Sequence, residues 1–213
     1  MAKARSGILG PFSGKIGPIV GSSWKNIAYI RSVPKSDGTK KVPSAAQLAQ
    51  QQKFKFMTQW LEPFYPYVTV GFSNLAKDKT EINLAFTENY RKALIGNYPD
   101  FEIDYEMVCL SRGPLAPLFP DVVTLTGVQQ ISLEWDDRNN GGTTNDQLML
   151  VVYSPALKIA DGFVGMAKRS DGHVSFKFNP KLIGQSLEVY VSMVSLNRKK
   201  ISNSIYLGRM EPL

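Results

Sequence analysis

Gln147-Leu148-Met149-Leu150-Val151-Val152-Tyr153 reads as a β-strand, the third of seven short runs in the C-terminal half of the chain. The others cover 122–125, 130–135, 163–168, 174–178, 187–195 and 201–207. Turn chemistry separates several of them: Asn139-Asn140-Gly141-Gly142 makes one loop, and Asp171-Gly172 is a tight-turn signal. Roughly seven short strands in about 90 residues is the pattern of an antiparallel β-sandwich. Upstream of them, Phe101, Ile103, Tyr105, Met107 and Cys109 alternate with Glu102, Asp104 and Glu106. That alternation predicts a half-buried strand with three carboxylates on its wet side.

Before the strands, Ser44 and Gln47 form a Ser-x-x-Gln capping box ahead of good helix formers. The helix is predicted to end at Pro63. A second helix is expected to open at Asp78, with Glu81 as its box partner, and to stop at Gly96. Residues 64–76 carry no readable period. The N-terminal residues 1–42 are rich in Gly and Pro, but 16–24 and 27–33 read as two short β runs around Lys25-Asn26. Ile27 and Tyr29 fall on one face and Ala28 and Ile30 on the other, so both faces are apolar. A two-stranded hairpin of that kind is marginal in water and needs covering. The expected organisation is a basic, glycine-rich hairpin arm (1–43), a helical segment (44–98) and a β-sandwich (99–213), a mainly β fold.

Charge separates the arm from the rest. Lys and Arg outnumber acids ten to one in residues 1–55, whereas residues 56–213 hold fifteen against seventeen. Such asymmetry favours an acidic partner: nucleic acid, an anionic surface or the acidic face of another copy. The bland reading is a solubilising arm. Neither a signal-peptide core nor an apolar stretch of membrane-spanning length is present, which predicts a protein that is cytoplasmic or exported as part of an assembly.

Catalytic chemistry finds little to work with. The single histidine, His173, lies in a turn, and the single cysteine, Cys109, sits in phase with apolar residues, so no disulfide forms within the chain. One Cys and one His fall short of a zinc site. Glu102, Asp104 and Glu106, and the pair Asp136-Asp137 beside the glycine loop, are the best oxygen-ligand clusters, and both read more simply as solvated surface. Gly10 to Lys15 misses the phosphate-loop spacing. The expectation is therefore a non-enzyme with no catalytic residues, no metal and no cofactor. Its predicted partner-binding residues are Ile19, Trp24, Ile27, Tyr29 and Ile30 as contact surface, with Lys15, Lys25 and Arg31 as charge partners. The expected partner is a second copy or another protein. A nucleic-acid strand is the alternative, because basic residues interleaved with stackable aromatics suit single strands.

Several stretches in combination resemble a Bacteroidota family of unknown function: Gly14-Lys15-Ile16-Gly17, Val20-Gly21-Ser22-Ser23-Trp24-Lys25, Tyr29-Ile30-Arg31-Ser32, Gln47-Leu48-Ala49-Gln50 with Lys53-Phe54, the run from Gly96 to Tyr105, Leu110-Ser111-Arg112-Gly113, and Ser202-Asn203-Ser204-Ile205-Tyr206. Gln51 stands where that family carries Arg. The resemblance implies that the chain is one unit of recurring design and brings no activity with it. Trp135 together with the 147–153, 187–195 and final strands looks like a fibronectin type III or immunoglobulin-like sandwich, a platform for contacts.

Overall fold

The computed structural model describes residues 3–4, 10–24, 27–34, 42–136 and 143–212. They fall into two units, residues 1–44 and 45–213. The fold is mainly β, with several antiparallel sheets and a helical layer.

In the larger unit, α1 (Ala45–Leu61) is rich in Ala, Gln, Leu and Lys, residues that lose little side-chain freedom in a helix. Pro63 does not end the helical path as its sequence position suggests. It lies in the first turn of a short 3₁₀ segment, Glu62–Phe64, where no backbone N–H is required. Pro66 then occupies the first turn of α2 (Tyr65–Gly71), which fills part of the stretch that has no sequence period. The last residue of α2, Gly71, has no room for a side chain, because a Cβ there would overlap the Leu110 carbonyl oxygen. The next helix, α3 (Glu81–Lys92), starts at Thr80 and not at Asp78: the Thr80 hydroxyl accepts from the Asn83 N–H at 3.2 Å. It also ends four residues short of Gly96. That glycine serves, at φ 80°, in the hairpin of β5 (Leu94–Asn97) and β6 (Asp100–Ile103).

The strand expected through Cys109 is shorter than its alternation implies. Asp104 turns inward as a cap, accepting from the Glu106 N–H at 3.2 Å, and the chain winds into a 3₁₀ turn at Tyr105–Met107. Glu102, Asp104 and Glu106 therefore share no strand face. Asn89 of α3 holds the following segment. It is fully buried, its Nδ2 donates to the Ala85 and Cys109 carbonyls, and its Oδ1 accepts from the Cys109 N–H, each at 2.8 Å.

The remaining strands are β7 (Val122–Leu125), β8 (Gln130–Glu134), β9 (Gln147–Ser154), β10 (Ile159–Lys168), β11 (His173–Lys177), β12 (Leu187–Val194) and β13 (Ile205–Met210). One sheet has the order β10-β9-β12-β13 and a second the order β11-β8-β7. Register explains their packing. Leu148, Leu150 and Val152 of β9 stand opposite Met193, Val191 and Val189 of β12, and these six share a core with Ile131, Leu133, Val174 and Phe176 of the second sheet. The intervening residues point the other way: Met149, Val151, Tyr153, Tyr190 and Val194 pack with Trp60, Phe64, Val68 and Phe72 of the helices. Both central strands are thus buried on two sides, which is why they read as unbroken apolar runs and not as alternation.

The 201–207 run splits, with Ile201 and Ser202 making isolated bridges before β13 begins at Ile205. Arg169, 2% exposed, ties the loops at one end. Its guanidinium reaches the Ala116 and Pro117 carbonyls and Asp146, and its own carbonyl accepts from the Trp135 indole N–H at 2.7 Å.

Candidate functional site

The smaller unit is a four-stranded antiparallel sheet, β1 (Lys3–Ala4), β2 (Phe12–Ile16), β3 (Ile19–Trp24) and β4 (Ile27–Ser32), in that order. The two-stranded hairpin expected from the sequence is its β3–β4 half. The readable signal for β2 was Gly17-Pro18 between Ile16 and Ile19, which face each other across a two-residue loop. Gly14 and Gly17, at φ 114° and 55°, disguise that half as irregular.

Register sorts the side chains. Trp24 pairs with Ile27, Ser22 with Tyr29, and Lys15, Val20 and Arg31 form one row; because these rows alternate along the strands, all lie on one face. The opposite face carries the row Ile16, Ile19 and Ser32, and the row Gly14, Gly21 and Ile30. Phe12 lies over Gly21 on that side, so any Cβ at 21 would meet its ring. Five of the eight predicted contact residues thus share one face (Trp24, Ile27, Tyr29, Lys15, Arg31), Ile19 and Ile30 share the other, and Lys25 lies outside the described residues. All six residues of β4 are exposed, including Ile27 at 57% and Ile30 at 63%. As the last strand in the order, β4 also presents an edge with no pairing partner among the described residues.

A second feature lies within residues 45–213. A cavity of about 440 Å³ opens between α1, β6 and the β9–β10 turn. Its walls are aromatic: Trp60 and Tyr153 meet edge-on with centroids 6.5 Å apart, Tyr105 lies 6.2 Å from Tyr153, and Phe56 lies 5.9 Å from Phe101. Charged groups join this lining at Glu102, Lys158 and Arg209. Strand register brings Tyr153, Glu188 and Arg209 into one row across β9, β12 and β13. Glu188 is completely buried and accepts from the Tyr206 hydroxyl at 2.6 Å and from Arg209 Nε at 2.8 Å, with Arg209 Nη2 2.7 Å away. Burial, together with neighbouring Tyr105, pushes the Tyr153 phenol upward, and burial followed by the Glu188 charge does the same to Tyr105. Both therefore stay protonated donors at neutral pH.

The other residues singled out in the sequence stand apart. Cys109 is half-buried, its Sγ donates to the Ser111 carbonyl, and burial raises its thiol. His173 is exposed, with Nδ1 3.1 Å from the Asp171 carbonyl. The Asp136 N–H donates to Asp121, while Asp137 and the glycine loop lie outside the described residues. Among the described residues no three His, Cys, Asp or Glu side chains gather as a metal site, and no helix is long and apolar enough to cross a membrane.

Comparison with curated proteins returns no match. A family model does match, over residues 11–208, from β2 through most of β13, taking in both the N-terminal sheet and the two-sided core of the larger unit. The chain belongs to that family, DUF6266, a family of unknown function.

Proposed function

We propose that the protein is a non-enzymatic assembly module that joins a second copy of itself through its N-terminal sheet. The observation that carries this reading is β4: six residues, all exposed, at the edge of its sheet, with Ile27 and Tyr29 on one face and Ile30 on the other. Natural edge strands are normally blunted by proline, a bulge or inward-pointing charge. Here β4 has a regular register, no proline and one charge, Arg31. Antiparallel pairing of two β4 edges satisfies the open backbone groups and covers apolar surface on both faces, a self-complementary contact of two-fold type. The facing sheets of residues 115–210 serve as the rigid body, read here as a fibronectin type III or immunoglobulin-like platform.

Removing residues 1–44 tests the proposal. Light scattering of the full chain is expected to give an oligomer and that of the truncated chain a folded monomer; the same number of chains per particle in the two rejects it.

The alternative is a nucleic-acid binder. Lys15 and Arg31 share a face with Trp24 and Tyr29, an arrangement that suits phosphates flanked by stacked bases. Binding of a single-stranded oligonucleotide then falls steeply between low and moderate salt, because each neutralised phosphate releases counterions. Salt-independent binding, or none, eliminates this second reading.

A further inference from the structure

We propose that the aromatic cavity of the larger unit binds a small aromatic α-amino acid, ring inward and zwitterion at the mouth. Its volume of about 440 Å³ falls within the range of small-molecule sites, and its walls are flat rings suited to stacking another ring. On that wall, the buried Trp60 Nε1–H lies close enough to the Tyr105 phenol to act on it as a hydrogen-bond donor, yet no bond of full hydrogen-bonding geometry joins the two. A buried donor so loosely engaged beside a cavity is a place for a better-placed ligand acceptor.

The charged groups fit a zwitterion. Glu188 is fully buried, which is costly for a carboxylate and a weak means of stabilisation. Its geometric effect is to fix Arg209: Nε and Nη2 are engaged, and Nη1 has no bond among the described residues. Lys158, the second cation of the lining, is held in the left-handed region at φ 56°, a conformation uncommon for a residue other than glycine. Two cations suit a carboxylate, and Glu102 in the same lining suits the neighbouring ammonium. A bare hydrocarbon leaves all three charges unused, and an aromatic amine without a carboxylate uses only Glu102. The site is built entirely within residues 45–213, so its failure and that of the N-terminal sheet are separate outcomes.

Isothermal titration calorimetry of the full-length protein tests the assignment with L-tryptophan, L-phenylalanine, tryptamine and indole-3-propionate as probes. Saturable binding of the two amino acids is expected in about the micromolar to millimolar range. Tryptamine, lacking the carboxylate, should bind at least about tenfold more weakly. Lys158→Ala, an exposed position whose loss leaves the core intact, and Arg209→Lys, which keeps the charge opposite Glu188, should each weaken L-tryptophan by about tenfold. Glu102→Gln should weaken L-tryptophan and leave indole-3-propionate unchanged. Absence of binding by either amino acid, equal binding of tryptamine, indifference to both cation variants, or an equal effect of Glu102→Gln on both indole acids overturns the proposal.

Discussion

If β4 pairs with β4 of a second copy, replacing both Ile27 and Ile30 by Ser removes apolar surface from each face of the joint. Ile27 is 57% and Ile30 63% exposed, so a partner has more than half of each residue to cover. Full burial of an isoleucine contributes about 1.5–3 kcal/mol, so covering these fractions contributes about 1–2 kcal/mol per side chain. A two-fold contact uses each residue twice, giving at least about 4 kcal/mol per dimer, or a dissociation constant about a thousandfold weaker. The assay is sedimentation velocity across a wide concentration range, comparing the double variant with the parent. Circular dichroism should report an unchanged fold, since residues 45–213 form their own unit. A parent that stays monomeric throughout, or a variant dissociation constant within about threefold of the parent, refutes the reasoning.

Three predictions concern the larger unit. Asn89→Ala strands the N–H and carbonyl of half-buried Cys109 and should cost about 2–4 kcal/mol in urea unfolding, whereas a loss below about 0.5 kcal/mol would mean that the segment simply shifts to find other partners. Arg209→Ala leaves the Glu188 carboxylate buried with only the Tyr206 hydroxyl, for an expected loss of about 2–3 kcal/mol given the exposed side of the arginine. Adding Glu188→Gln should restore part of it, and a double variant no more stable than the single one contradicts the charge explanation. Burial pushes the Glu88 carboxyl up, but Lys92 and Arg112 outweigh this and hold it below its ordinary value. A carboxylate lowered by folding adds stability above its unfolded pKa of about 4.3 and loses it as pH falls through the folded value. Chemical unfolding from pH 6 down to pH 3 should therefore fall more steeply for the parent than for Glu88→Gln; parallel curves would show that the pair is screened.

Legibility differed from element to element. β7 has the bounds its sequence run predicts, and β9 and β12 were visible from unbroken apolar runs, because burial on both sides leaves no polar position to blur them. Helix boundaries were misread where side chains decide them: Thr80 caps α3 in place of Asp78, and Pro63 is absorbed into a 3₁₀ turn. The three acids at 102, 104 and 106 mimic a strand face, since alternation looks the same whether or not the chain stays extended. Arg169 was unreadable for a different reason. A surface arginine and one buried among loop carbonyls have the same letter, and only the fold brings Ala116, Trp135 and Asp146 to it. The cavity was equally hidden, for Trp60, Phe101, Lys158 and Arg209 converge from distant parts of the chain.

Strands β9 and β12 form a party wall, with a separate hydrophobic room on either side. Neither room keeps its shape if the wall is removed, so the helical layer and the outer three-stranded sheet cannot melt one after the other. Calorimetry of residues 45–213 should accordingly show one heat-absorption peak whose van't Hoff and calorimetric enthalpies agree. A polar replacement at Val151 or Val191, one on each side of the wall, should lower the temperature of that single peak without splitting it.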